Sequence, residues 1–360
     1  MKALVYGGPG IRALKQVAIP TVSRPTDAIV KLTATTICGS DLHILKGDVP
    51  ETGPGAILGH EGIGIIHDVG AGVSKFKKGD KVLISCITSC GSCAYCKKGL
   101  QAHCLEGGWK LGHEINGTQA EYVKIPHADY SLYDVGPLAG KVKDESLLML
   151  SDILPTGNEI GALNGKVEEG DIVAVVGGGS VGISALIAAK TYKPALTIVV
   201  DFNEERLRIA KEVFGADIGV NPGKVDAVEE IKKLTAVQNT GARAQLHPGV
   251  DVAIEAVGIP QTFDTCQKII APGGRIANVG VHGKPVDLQL QDLWIKNINI
   301  STGLVNANST ASLLEKVSTG VLDPSPLVTH HFKFDEIEKA YDVFSNAEKE
   351  KCIKVFFTFD

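Results

Sequence analysis

The rhythm of apolar positions changes once along the chain, near Gly170. Up to that point the apolar runs are brief and alternate imperfectly: Ala3–Tyr6, Ala28–Leu32, Asp80–Ser85 and Ala120–Ile125, broken by Gly7-Gly8-Pro9-Gly10, Pro20 and Pro25. Short runs bounded by Gly and Pro predict short strands, and hence a small irregular β-domain. Beyond Gly170 the runs become β-branched and uninterrupted. Asp171–Val176 and Leu196–Val200 read as fully buried strands of a parallel sheet, with a helix over Ile183–Tyr192 between them. The alternation goes on through strands at Val250–Glu255 and Gly274–Val281 around a helix over Thr262–Ile270, the pattern of an α/β unit. Two helical stretches, Ser309–Ser318 and Phe334–Ala347, and a last strand, Ile353–Phe359, complete the chain.

Composition narrows this picture. At 360 residues the chain is long for a single core, so two domains are expected. Hydrophobic residues at 44% and charged residues at 21% are ordinary for a soluble globular protein. The net charge of -5, without a basic patch, argues against a nucleic-acid or anionic-membrane partner. Ile172–Ala189 runs eighteen residues without a charge, just enough to cross a bilayer. Its β-branched start and the glycines Gly177 to Gly179 read better as strand, turn and helix. The amino terminus lacks the apolar core and cleavage site of a signal peptide. Of the eight cysteines, five lie from Cys86 to Cys104, a density that favours metal binding over disulfides and implies a reducing, cytoplasmic setting.

Candidate chemistry is spread over several separate segments. His60 and Glu61 occupy a frame of glycines (Gly59, Gly62, Gly64, Gly70) expected to turn tightly round a crowded site, with His60 as a metal ligand. Cys38 is a candidate thiolate ligand, although a lone Cys is often a small buried hydrophobe. Ser40 and His43 lie three apart, on one face if the segment is helical, where a hydroxyl and an imidazole could relay a proton. Asp152 is flanked by apolar residues, so it needs a partner or a metal; the competing reading makes it a helix cap, for which Pro155 and Thr156 look better placed. The spacing of Cys90, Cys93, Cys96 and Cys104 suits a closed tetrahedral zinc site, with an iron–sulfur cluster as the alternative. Cys86 is assigned to the core and His103 to the surface. Trp109 either walls a substrate pocket or packs between lobes.

Gly177, Gly179 and Gly182 follow a strand and open a helix, and Asp201 ends the next strand. In that order they form a dinucleotide fingerprint: the glycines admit a pyrophosphate to the helix amino end, and the acid accepts from a ribose diol. An acid at that point repels a 2′-phosphate and so favours NAD over NADP, while Arg206 keeps one cation nearby.

Taken together, these motifs resemble the zinc-dependent medium-chain alcohol dehydrogenases over essentially the whole chain. The resemblance implies a GroES-like β-rich catalytic domain over 1–154 and 301–360, with a structural-zinc lobe at about 86–108. A Rossmann domain, a doubly wound parallel sheet, is then expected over 155–300, making the chain α/β overall. It implies two zinc ions, one catalytic on Cys38, His60 and Asp152 and one structural on the four cysteines, with Glu61 beside the first or a transient ligand. Ser40 and His43 become the relay, with Ser40 also touching substrate beside Trp109. The cofactor contacts become Thr156, Val181, Arg206, Val257, Val281 and the glycines, with Lys354 on the pyrophosphate. Asp152 and Trp109 resemble the secondary-alcohol branch, although that branch in its best-known NADP form lacks the cysteine lobe and the acid at Asp201. Gly39 stands where some members carry a basic residue. The implied activity is reversible oxidation of a small alcohol, with a polyol or sugar-alcohol substrate or a catalytically idle binding protein as alternatives. The implied assembly is a homotetramer or a dimer.

Overall fold

A computed structural model describes residues 1–238 and 247–359. The chain divides into two compact units, Met1–Pro155 with Val305–Asp360, and Thr156–Leu304. The strands up to that first crossing are β1 (Lys2–Gly8), β2 (Ile11–Gln16), β3 (Ala28–Thr35), β4 (Gly62–Val69), β5 (Lys81–Ile84), β6 (Tyr122–Ile125) and β7 (Leu132–Asp134). The second unit contributes β8 (Ile172–Val176), β9 (Leu196–Val200), β10 (Ile218–Val220), β11 (Val250–Glu255), β12 (Ile270–Asn278) and β13 (Asn299–Thr302). The chain then returns with β14 (Val328–Lys333) and β15 (Lys354–Thr358).

In the first unit β1 pairs with β2, and a seven-stranded mixed sheet runs β14-β15-β3-β4-β5-β7, with β6 also on β3. The last strand is thus paired on both sides, which places Lys354 next to the chain leaving β3. Gly62 and Gly64 lie in β4 and not in a turn: a Cβ on Gly64 would come 2.3 Å from the Lys31 carbonyl oxygen across the sheet. The expectation of turning glycines holds at Gly59, whose φ is +91°.

In the second unit the order β10-β9-β8-β11-β12-β13 is that of a doubly wound sheet, and every pairing is parallel. Every residue of β8 and of β9 is buried, as strands covered on both faces require. Ser301 and Thr302, expected with the carboxy-terminal segment, belong to β13, because pairing with β12 continues to Asn278–Thr302. The uncharged run resolves into strand, turn and helix, the helix starting at Ser180, three residues earlier than its apolar pattern suggests. Among the described residues no helix is long and apolar enough to cross a membrane.

Candidate active site

Four potential metal donors converge in the first unit. The ligand atoms of Cys38, His60, Glu61 and Asp152 all lie within 4.8 Å of one another. They come from three local settings. Cys38 precedes the helix Gly39–Lys46 in extended conformation, its N–H held by Asp41 Oδ2 at 2.8 Å. His60 and Glu61 lead directly into β4. Asp152 directly precedes the helix Ile153–Thr156, so the helix starts two residues before Pro155, and the cap-like position and the place among the donors coincide. Ser151 docks this turn on β4, since its Oγ accepts the Gly62 N–H at 3.2 Å. Asp152 Oδ2 then stands 3.1 Å from His60 Nε2 and 3.5 Å from Cys38 Sγ.

The electrostatics of the cluster are those of donors brought together in a nearly dry place. Burial disfavours the imidazolium of His60, yet hydrogen bonds to Asp152 and Cys38 outweigh it and hold the pKa well above the usual value. Burial raises the Glu61 carboxyl to about 7, against the opposing pull of Lys354. Lys354 has no exposed area; its Nζ lies 2.6 Å from Glu61 Oε1 and donates to the Ile37 carbonyl at 3.0 Å. Burial works against its charge, but Glu61 raises its pKa overall. The Glu61 pair gives Lys354 surroundings that differ from the expected pyrophosphate contact: here it faces the donor cluster. Glu61 Oε2 is buried without a partner, as the oxygen of a transient metal ligand beside Cys38, His60 and Asp152 would be.

Ser40 and His43 both lie on the helix that follows Cys38. The Ser40 hydroxyl is buried without a hydrogen-bond partner, whereas His43 Nδ1 is 2.9 Å from Asp48 Oδ2 and partly open to solvent. Trp109 is half-buried and tilted against His113, with ring centroids 4.5 Å apart.

The four cysteines form a second cluster in the same unit. Cys90, Cys93, Cys96 and Cys104 bring their sulfurs within 4.8 Å of one another. Cys93 caps the short helix Ala94–Lys97, and backbone N–H groups of Cys90, Cys93 and Cys96 point at the sulfurs of Cys104, Cys90 and Cys93. Donors aimed at sulfur favour thiolate, and those from Cys96 and Leu105 draw the Cys93 pKa down to about 6. Burial pushes Cys96 the other way, to about 12. A cation among the four would bring every sulfur to thiolate. Asn306 Oδ1 accepts the Ala102 N–H at 3.0 Å and Asn308 donates to the Gly99 carbonyl at 2.8 Å, fastening the lobe from the returning chain. Cys86 is buried and His103 exposed, as expected.

In the second unit the glycines lie at the amino end of the helix Ser180–Lys190. Gly177 has φ +112°, and a Cβ on Gly182 would fall 1.8 Å from the Gly177 carbonyl oxygen, so this turn excludes side chains at both places. Asp201 accepts the Gly178 N–H and the Asn203 N–H, each at 2.7 Å, with Arg206 Nη1 at 3.6 Å.

Residues 24–134 match the alcohol dehydrogenase GroES-like domain and residues 180–319 the zinc-binding dehydrogenase domain. An alcohol dehydrogenase of Cupriavidus necator is 34% identical over 99% of this chain and 98% of its own length. The chain belongs to the zinc-dependent medium-chain alcohol dehydrogenases. The zinc-dependent alcohol dehydrogenase 2 of Streptococcus pneumoniae, in its apo form, is 53% identical with a TM-score of 0.91, covering 100% of this chain and 99% of that one. Alcohol dehydrogenase TADH from Thermus is 30% identical with a TM-score of 0.89 and covers 100% of both chains.

Within this dehydrogenase frame the remaining expected residues can be placed. Thr156 opens the second unit, and Val181 sits in the first turn of the helix after the glycines, partly exposed. Val257 is 44% and Val281 69% exposed, beyond the carboxyl ends of β11 and β12, where ligands of doubly wound sheets bind. Three supporting residues were not singled out by sequence reasoning. Glu255 is fully buried, and its Oε1 accepts the Val257 N–H at 3.0 Å and the Gly258 N–H at 2.9 Å, tying down that loop. Asp41 and Gln119 are buried polar residues beside Cys38. The available signal was an acid ending an apolar strand in the first case, and an acid three residues after a candidate ligand in the second.

Proposed function

We propose that this chain is an NAD-dependent zinc alcohol dehydrogenase that interconverts a small, preferentially secondary, alcohol and its ketone or aldehyde. The observation that carries the reading is the convergence of Cys38, His60 and Asp152 on one buried point, from three distant segments. Three protein donors leave a coordination position open, as catalytic zinc requires, whereas the four cysteines close theirs. Bound there, zinc would supply Lewis acidity that makes an alcohol oxygen far more acidic, and NAD would accept the hydride.

The protein's own residues supply the rest. The free Ser40 hydroxyl can accept a hydrogen bond from an alcohol and pass a proton outward, and His43, paired with Asp48, is open enough to exchange one with solvent. Trp109 supplies an apolar wall. Asp201 presents carboxylate oxygens where an adenosine ribose would lie, and its charge disfavours a 2′-phosphate. The choice of NAD rests on that charge argument, since relatives bind both coenzymes: an E. coli structure 28% identical to this chain is complexed with NADH and a Sinorhizobium meliloti one 27% identical is bound to NADP. Thr156, Val181, Arg206, Val257 and Val281 complete the cofactor set, and the reading includes a cytoplasmic homotetramer or dimer.

The test is metal analysis combined with coenzyme reduction over 2-butanol, 1-butanol, benzyl alcohol and sorbitol. Two zinc ions per chain and fastest NADH formation with 2-butanol are expected. Fastest turnover of sorbitol would move the substrate to polyols, and no turnover of any alcohol with both metals bound would overturn the catalytic reading.

A further inference from the structure

Gln119 lies beneath the donor cluster and touches both of its limbs. Its side chain is fully buried against Gly59, where any Cβ would come within 2.6 Å of Gln119 Cγ, so it packs on the residue immediately before His60. Its amide Nε2 donates to the Thr36 carbonyl and to Asp41 Oδ2, both at 3.1 Å. The same Asp41 oxygen accepts the Cys38 N–H at 2.8 Å. The other end of the amide, Oε1, accepts from the Tyr341 hydroxyl at 2.8 Å. Tyr341 has no exposed area and comes from the helix Ile337–Ser345, with the Arg12 guanidinium 4.9 Å from its ring centroid.

The orientation of this amide is decided by its partners. A backbone carbonyl and a carboxylate only accept, so they require the NH₂ end, and the Tyr341 hydroxyl then donates to the oxygen. Reversing the amide would set its oxygen against two acceptors. The two acceptors therefore settle how Gln119 joins the Cys38 limb to the Gly59-His60 limb, and Tyr341, on a carboxy-terminal helix, completes the amide by donating to its oxygen.

We propose that Gln119 and Tyr341 are positioning residues that set the separation of Cys38 and His60 for the metal. This rests on reading Cys38, His60 and Asp152 as ligands. Neither residue is among the donors; both act through Asp41 and through packing on Gly59. Outer partners of metal ligands are commonly worth roughly 10–100-fold in metal affinity or activity.

The experiment compares the full-length enzyme with Tyr341→Phe and Gln119→Leu, each with cobalt(II) in place of zinc at the open site. Tyr341→Phe should shift the visible ligand-field absorption of that cobalt and speed its loss to a chelator about tenfold. The four-cysteine metal should leave at the wild-type rate, and kcat should fall with KM for alcohol unchanged. Gln119→Leu should approach the upper end, about 100-fold. Should Gln119→Leu not fold, Tyr341→Phe, which removes one oxygen, decides alone. An unaltered spectrum and release rate in Tyr341→Phe, even with a lower melting temperature, overturns the proposal. If the wild-type chain holds metal only on its four cysteines, both this proposal and the ligand reading fall; two metals with unaffected variants remove the positioning role alone.

Discussion

The two metal-donor clusters of the first unit are built in opposite ways. The cysteine cluster takes its donors from one short loop, Cys90 to Cys104, and its support from the same loop's N–H groups, which point at the sulfurs. The Cys38, His60 and Asp152 cluster gathers donors 92 and 114 residues from Asp152, and none of its supporting side chains is local to all three. Lys354 reaches Glu61 from the last strand, and Tyr341 reaches Gln119 from the helix before it. A closed site can be self-contained because its role is to hold a loop together. An open site must present a vacant position to substrate, so its donors cannot enclose the metal and the surrounding fold has to hold them in place.

That contrast can be broken at several points. The largest effect is expected from Asp152→Ala, which should abolish turnover, beyond the roughly 100-fold that loss of an outer partner costs, and lower zinc toward one per chain. Full activity with two zinc ions would remove Asp152 from the ligand set. Lys354→Met should come next. Stranding the charge of Glu61 in a dry site should destabilise the first unit by about 3–5 kcal/mol in chemical denaturation, and adding Glu61→Gln should recover most of it. If the single variant is as stable as wild type, the pair does not support the fold. Cys93→Ser should reverse the order of symptoms seen with Asp152→Ala, with zinc and melting temperature lost before alcohol oxidation is; a variant that loses activity first while keeping its stability would erase the distinction between the clusters. The mildest change is Asp201→Gly, which should leave both metals in place and narrow the preference for NAD over NADP by about tenfold, or roughly 1.4 kcal/mol. An unchanged coenzyme ratio would exclude Asp201 as the discriminating group.

Legibility from sequence followed the same divide. The strand, glycine turn, helix and terminal acid from Asp171 to Asp201 could be read directly because each element depends on its own few residues, and the structure shifts only element ends, the strand to Ile172–Val176 and the helix to Ser180–Lys190. The cysteine lobe was legible for the same reason. Gly62 and Gly64 were read as turn residues, since a glycine needed for close strand approach looks no different in sequence from one needed for a bend. The boundary near residue 301 was blurred because β13 is exposed and carries no continuous apolar run. Lys354 was matched to a cofactor by its position alone, and its burial against Glu61 could not be read from the surrounding Ile353-Lys354-Val355.

By itself, the sequence determined the two fold types, the closed cysteine cluster and the nucleotide turn, all of which are specified by spacing within one segment. The trio of Asp152, Cys38 and His60 was expected only through the family resemblance; the tertiary structure decided how Asp152 is set against the other two, that Lys354 answers Glu61, and that Gln119 links Thr36 and Asp41 to Tyr341. Burying a charge or an amide demands a partner, but the demand is met in space, and the chain does not record which distant residue will meet it.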